Sequence, residues 1–133
     1  MALLLDTHVW VWSQAQPEEL GPGVQQALTD PTAAIYVATV STLELSRFVM
    51  LGRLELFAGV DDWVSASLDL LGARTIELSH AIALGAYQLP GSFHRDPADR
   101  IIVATAREHG LTLVTADERI LSYPHVETRN ARS

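Results

Sequence analysis

Residues 3–6 read Leu3-Leu4-Leu5-Asp6, an apolar run that stops on a carboxylate. Consecutive apolar residues without polar alternation predict a short strand buried on both faces, as in a parallel sheet. Burying the charge of Asp6 without a partner would be costly. The acid therefore indicates either an N-cap for the helix that follows or a functional group at the end of the strand, and both interpretations remain open at this point.

Short apolar runs and longer segments of helical period alternate along all 133 residues. This pattern predicts an α/β fold, one domain with a parallel sheet flanked by helices on both faces. The domain is predicted over residues 1–129, with 130–133 as a loose tail. The predicted strands are 3–5, 34–38, 75–78, 112–114 and 126–128, and the predicted helices are 9–13, 18–29, 41–51, 61–71, 79–88, 97–109 and 118–122.

The composition excludes several classes of protein. The chain has no cysteine and no lysine, which excludes disulfides, thiolate zinc sites, P-loop lysines and Schiff-base chemistry. The net charge of −7 argues against nucleic-acid binding through bulk positive charge. The first apolar run is too short for a signal peptide or a membrane span, so a cytoplasmic protein with no membrane partner is expected.

Three further acids lie where a predicted strand or helix begins or ends. Glu44 closes Ser41-Thr42-Leu43-Glu44, which fits a capping box but also puts a carboxylate near a strand end. Asp99 follows Asp96-Pro97, where Asp96 already suffices as the N-cap. Asp117 follows the strand predicted at 112–114 and is explained on its own as a cap.

Four acids at one edge of a sheet predict a cation site. Like carboxylates gathered in a cleft repel each other unless a cation neutralises them. Oxygen ligands without cysteine favour Mg²⁺ or Mn²⁺, and such ions stabilise displacement at a phosphate. The residues therefore predict phosphodiester hydrolysis at Asp6, Glu44, Asp99 and Asp117.

These motifs, taken in order along the chain, resemble the PIN-domain nucleases, and in particular the VapC-type toxins of bacterial toxin–antitoxin pairs. The similarity runs from about residue 3 to residue 128. The residues that carry it are Leu4-Leu5-Asp6-Thr7-His8-Val9-Trp10, Tyr36-Val37-Ala38 with Ser41-Thr42-Leu43-Glu44-Leu45, His94-Arg95-Asp96-Pro97-Ala98-Asp99-Arg100-Ile101-Ile102 and Leu113-Val114-Thr115-Ala116-Asp117.

The resemblance implies a metal-dependent endoribonuclease, a homodimer and inhibition by a small cognate antitoxin. Asp6, Glu44, Asp99 and Asp117 match the four catalytic acids of the family, and Asp96 matches an extra acid that shares the third position. The metal ligands would thus be Asp6, Asp96, Asp99 and Asp117, with Mg²⁺ or Mn²⁺ as the cofactor. Where many members have a further Asp, this chain has Arg119.

Substrate contacts are predicted at Thr115, which matches a family hydroxyl, and at arginines near the acids. Guanidinium groups suit bidentate binding of phosphate, which makes Arg95, Arg100 and Arg119 the candidates. Core packing is the default interpretation for Trp12 and Phe48, although a groove for an antitoxin helix remains open. The alternative function is a catalytically weak PIN-fold module that acts through protein contacts.

Overall fold

The computed structural model describes residues 1–133 and contains five strands and seven helices. The strands are β1 (Ala2–Leu5), β2 (Ala34–Ala38), β3 (Arg74–Ile76), β4 (Thr112–Thr115) and β5 (Thr128–Asn130). The helices are α1 (Thr7–Ala15), α2 (Pro22–Thr29), α3 (Thr39–Met50), α4 (Val60–Leu71), α5 (His80–Ala86), α6 (Pro97–His109) and α7 (Glu118–Leu121). No helix combines the length and the apolar character that crossing a bilayer requires.

All strand pairs are parallel, and the strand order is β3-β2-β1-β4-β5. Successive side chains of β1 point to opposite faces of the sheet, so Leu4 packs in one core while Leu3 and Leu5 pack in the other. Both cores are covered by helices, which confirms the predicted α/β architecture. The apolar run quoted at the start is therefore the central strand, and it is buried on both faces.

The core that contains Leu3 and Leu5 is centred on two tryptophans. Trp10 of α1 and Trp63 of α4 are fully buried, with ring centroids 5.1 Å apart and planes tilted by 55°. The indole Nε1 of Trp10 donates a hydrogen bond of 3.0 Å to the hydroxyl of Ser67. Helix α4 is thus held against α1 by packing and by one buried polar contact.

Replacing Ser67 by alanine is expected to lower the free energy of unfolding by about 1–2 kcal/mol, because the Trp10 indole N–H loses its acceptor while staying buried. Ser65, which is exposed on the same helix, gives the matched control. Ser65→Ala changes the helix propensity by the same amount as Ser67→Ala but leaves no buried donor without an acceptor. Urea unfolding of the two variants measures the difference. Equal stabilities would contradict a contribution from this hydrogen bond.

Two predicted helices begin elsewhere in the structure. The helix predicted at 18–29 is interrupted, because a 3-10 turn at Pro17–Glu19 comes first and α2 starts at Pro22. Helix α3 starts at Thr39, two residues before the predicted start at Ser41. Ser41 is fully buried inside the helix rather than at its N-cap, so the capping-box interpretation is wrong.

The loose tail predicted at 130–133 is also wrong. Asn130 belongs to β5, and Ala131 is fully buried, with its N–H bonded to the carbonyl of Thr115 (2.8 Å). The carbonyl of Ala131 accepts from Gly21 N (2.9 Å). A Cβ at Gly21 would lie 2.3 Å from the carbonyl carbon of Ser133, so only glycine lets the two segments approach this closely.

Candidate active site

The acids meet outside the carboxyl end of the sheet. Strand order reverses between β1 and β4, and ligands of open parallel sheets collect at such a point. Asp6 follows β1 and Asp117 follows β4, so the chain places both at this position. A cavity of about 360 Å³ brings together five carboxylates, called the acid cluster below: Asp6, Glu44, Asp96, Asp99 and Asp117.

Asp6 is the most buried member of the acid cluster, at 9% exposed. It caps α1 by accepting from Thr7 N (2.8 Å), and it also accepts from the hydroxyl of Thr115 (2.7 Å). Burial raises the pKa of Asp6, and these two hydrogen bonds oppose that shift. Asp6 can therefore be both an N-cap and a functional group, since one of its oxygens caps α1 while the side chain lines the cavity.

Thr115 orients Asp6 and has no exposed surface. Its hydroxyl donates to Asp6 and accepts from the backbone N–H of Asp117 (3.0 Å). A side chain buried and bonded in this way cannot contact an RNA chain, so the predicted substrate contact at Thr115 is corrected to a positioning role. The hydroxyl links the loops after β1 and β4 at the base of the cavity.

Glu44 is oriented by Thr7, which sequence reasoning did not single out. The Thr7 hydroxyl donates to Glu44 Oε1 (2.6 Å) and lies 2.9 Å from the hydroxyl oxygen of Ser41. Burial, followed by repulsion from Asp6 and Asp96, raises the pKa of Glu44. The sequence shows only that Thr7 comes directly after Asp6. Its hydrogen-bond partners are 34 and 37 residues away and become its neighbours only in the fold.

The pKa of Asp99 is raised far above the usual value of an aspartate. Burial raises its pKa to about 7, and repulsion from Asp6, Asp96, Asp117 and Glu44 adds to the shift. Asp96 meanwhile caps α6 by accepting from Asp99 N (3.1 Å), as its place before Pro97 predicts. The structure thus separates the two acids: Asp96 caps the helix at an exposed position, and Asp99 lies in the centre of the negative charge.

Arg119 is the cation that lies over the acid cluster. Its guanidinium contacts both oxygens of Asp117, at 3.3 Å from Nε and 3.0 Å from a terminal nitrogen, and the same nitrogen lies 3.6 Å from Asp99. Hydrogen bonding to Arg119 lowers the pKa of Asp117. Asp117 therefore remains ionised while Asp99 holds its proton up to about neutral pH.

His94 joins the site although its sequence position gave little sign of it. Its Nε2 lies 3.1 Å from Asp99 Oδ2, and ligand atoms of His94, Asp99 and Asp117 all lie within 4.8 Å of one another. This nitrogen is buried and makes no hydrogen bond of normal geometry. Burial lowers the pKa of His94, which favours the neutral form. His94 precedes α6 in a loop, so no helical spacing relates it to Asp117.

The structure changes the assignment of two predicted phosphate-binding arginines. Arg100 donates to three backbone carbonyls, those of His94 (2.9 Å), Ala86 (3.1 Å) and Phe93 (2.8 Å). Its guanidinium is therefore used to hold the loop that carries His94 and is not free for substrate. Arg95 is exposed and is not among the residues that line the cavity. Arg119 alone of the three lies at the acid cluster.

The donor set fits a divalent cation. Five carboxylates share one cavity, the pKa of Asp99 is raised to about 7, and the buried Nε2 of His94 has no hydrogen-bond partner. Mg²⁺ and Mn²⁺ prefer carboxylate oxygens and accept an imidazole nitrogen less often. A cation at this position would relieve repulsion that Arg119 relieves only in part.

Comparison with known proteins gives the family of the chain. The family model of the PIN domain matches residues 3–126. The chain belongs to the PIN domain family. This PIN domain is 38% identical over 123 residues to Ribonuclease VapC22 of Mycobacterium tuberculosis, and the similarity covers 92% of each chain.

Several solved structures have the same fold, and a toxin–antitoxin complex from Klebsiella pneumoniae is one of them, with a TM-score of 0.67, 21% identity and 97% of each chain covered. One is VapBC2 from Rickettsia felis bound to a promoter DNA fragment, with a TM-score of 0.68, 17% identity and 98% of each chain covered. Another is FitAcB from Neisseria gonorrhoeae, with a TM-score of 0.66, 24% identity and 97% of each chain covered. At these identities the likeness shows that the PIN fold is shared.

Proposed function

We propose that this PIN domain is a metal-dependent endoribonuclease, the toxin of a toxin–antitoxin pair. The observation that carries the proposal is the convergence of Asp6, Glu44, Asp99 and Asp117 on one cavity at the switch point of the sheet. The similarity to Ribonuclease VapC22 supports RNA as the substrate and the VapC type of toxin. A binding module would not need four convergent acids, so nothing in the site favours the alternative.

Mg²⁺ or Mn²⁺ is the proposed cofactor. We assign Asp6, Asp99 and Asp117 to its binding, with Asp96 and Glu44 at the rim and His94 as an additional ligand. A divalent cation at such a site stabilises charge on the phosphate and makes water a stronger nucleophile. Catalytic roles are proposed for Asp6, Glu44, Asp99 and Asp117.

The remaining polar groups of the site orient the carboxylates. Thr115 and the N–H of Thr7 hold both oxygens of Asp6, and the Thr7 hydroxyl holds Glu44. Such partners lock each carboxylate in one direction before substrate arrives, which lowers the reorganisation needed during the reaction. A cation bound by these carboxylates would replace the Arg119 guanidinium as their counter-charge, and the guanidinium would then be free to bind an RNA phosphate.

Replacing Arg119 by glutamine is expected to lower the Mn²⁺ concentration that gives half-maximal thermal stabilisation. The guanidinium competes with the metal for Asp117 and Asp99, and glutamine removes this positive charge. The measurement is a thermal-shift titration of both proteins with MnCl₂. Arg129→Gln, outside the cavity, is the control. A higher half-maximal concentration in Arg119→Gln would contradict competition.

The proposed partners are an RNA substrate, a small cognate antitoxin and a second copy of the chain, in the cytoplasm. The likeness to the VapBC structures supports the antitoxin. Exposed apolar side chains on α3 and α5, such as Leu43 (70%) and Leu84 (61%), support a protein contact beyond the monomer.

The test of the function is cleavage of labelled transfer and ribosomal RNA by the purified protein with Mn²⁺, run beside a reaction with EDTA. Discrete cuts that disappear with EDTA are the expected result. Folded protein that binds Mn²⁺ but cuts none of these RNAs would overturn the proposal as stated.

A further inference from the structure

The cavity of the acid cluster continues into a second hollow of about 240 Å³ along α1 and α3. Three rings line both spaces and form what we call the aromatic wall: His8, Trp12 and Phe48. The His8 ring lies 5.7 Å from Phe48 and 6.2 Å from Trp12 between centroids. Core packing, the expectation from sequence, therefore describes Trp12 and Phe48 only in part, since both rings also face a groove.

Helix α3 places an acid and a ring about one turn apart, and α1 places two rings at the same interval. On α3, Glu44 and Phe48 are four residues apart, and on α1, Trp12 follows His8 by the same interval. Residues at this interval lie on one face, separated by about 6 Å along the axis. A chain that has a phosphate at the acid cluster thus meets the aromatic wall at the distance of a neighbouring nucleoside.

The charges around the groove also match a nucleotide strand. Arg132 lies over the Trp12 ring at 4.9 Å from its centroid and also pairs with Glu19 at 2.8 Å, and Arg53 lines the far part of the groove. These are positive charges on a chain whose net charge is −7. The protein cannot hold RNA through a basic face, so a contact that does not depend on charge is needed. Stacking on aromatic rings is such a contact.

We propose that His8, Trp12 and Phe48 form a base-binding subsite for the nucleotide next to the scissile phosphate of single-stranded RNA. The base lies against the rings of Trp12 and Phe48, and Arg132 and Arg53 contact the flanking phosphates. The proposal rests on the proposed function, because it needs an RNA strand whose phosphate is at the acid cluster. The ring stack accepts any base, so the subsite contributes affinity and orientation rather than sequence recognition.

The first test uses the natural fluorescence of the protein. Trp10 and Trp63 are buried at 0% and 1% exposure, so Trp12 is the tryptophan that RNA can reach. We expect oligo(A) of ten nucleotides, added in EDTA to prevent cleavage, to quench the emission. The same length of abasic RNA should not quench it. Equal effects of the two probes would overturn the proposal.

The second test measures affinity with labelled oligo(A) and abasic RNA in the non-cleaving Asp6→Asn protein. Trp12→Leu and Phe48→Leu keep apolar volume and remove the ring. Each is expected to weaken oligo(A) binding by roughly 5- to 150-fold, the range for loss of one base–aromatic stack, at both low and high salt. Abasic RNA should bind all variants equally. Phe57→Leu, at an exposed aromatic outside the groove, is the matched control.

The outcomes separate the two proposals. If wild-type protein cuts RNA and the ring variants bind oligo(A) as well as the Phe57→Leu control, the subsite is wrong while the nuclease stands, and the groove is then a protein-docking surface. If the protein neither binds nor cuts RNA, the proposed function and the subsite both fail. Circular dichroism of each variant confirms that a loss of binding is not a loss of fold.

Discussion

Asp6→Asn protein is expected to cut RNA more than about 100-fold more slowly than wild type, because changes to outer partners of a metal ligand already cost 10- to 100-fold. Asparagine keeps the shape of the side chain and an oxygen for the cap bond from Thr7 N. Its amide can face the Thr115 hydroxyl, which is able to accept as well as donate. The fold should therefore survive while the charge is lost.

The measurement is single-turnover cleavage of one labelled RNA by both proteins at saturating Mn²⁺. Asp30→Asn is the matched control, because Asp30 is an exposed aspartate that caps a local turn far from the acid cluster. Its activity should equal that of wild type. An Asp6→Asn protein that still cuts RNA at the normal rate would remove Asp6 from the catalytic group.

Asp99→Asn is expected to make the metal-free protein more stable and at the same time to remove its response to Mn²⁺. The Asp99 carboxyl is repelled by four neighbouring acids, and its pKa is raised from 3.8 to about 7. Removing the charge relieves that repulsion. Because the carboxyl is partly solvated, we expect a gain of about 1–2 kcal/mol at pH 8, well below the value for the whole shift.

The contribution of Asp99 to the free energy of unfolding changes with pH in the opposite direction to that of an ion-paired acid. A carboxyl whose pKa is higher in the folded protein binds its proton more tightly there, so its contribution to stability is complete below pH 3.8. That contribution is lost as the pH rises to about 7. The stability difference between Asp99→Asn and wild type should therefore grow from pH 5 to pH 8, measured by urea unfolding in EDTA.

Asp117→Asn is the informative control for this experiment. Pairing with Arg119 lowers the pKa of Asp117, so its charge stabilises the metal-free fold and its removal should not stabilise the protein. Both variants should lose Mn²⁺-induced thermal stabilisation. If Asp99→Asn destabilises the metal-free protein as Asp117→Asn does, the repulsion assigned to Asp99 is wrong.

The sequence was most informative where one chemical reason dominates. Leu3-Leu4-Leu5 predicted the buried central strand because a run that is apolar on both faces fits no solvent-facing element. Asp96-Pro97 predicted the start of α6 because the cap and the proline agree. The acids were singled out because each one follows a predicted strand or lies in the first turn of a predicted helix.

The sequence failed where the partner of a residue is distant in the chain. Ser41-Thr42-Leu43-Glu44 has the local pattern of a capping box, but the hydrogen bond to Thr7 draws Ser41 and Glu44 to the interior instead. Arg100 was predicted to bind phosphate, but in the fold its guanidinium donates to three backbone carbonyls. Residues 130–133 looked like a tail because their neighbours, Gly21 and Thr115, lie far away in sequence.

The strand order has a consequence for folding during synthesis on the ribosome. One edge of β1 pairs with β2, but its other edge pairs with β4, whose residues follow it by more than a hundred positions, so that second edge stays unpaired until β4 has been made. Asp6 and Asp117 cannot meet before that pairing. Parallel sheets built from such distant contacts fold slowly. A nascent chain therefore has an incomplete acid cluster throughout most of its synthesis, and any activity that needs both Asp6 and Asp117 first becomes possible after β4 has left the exit tunnel.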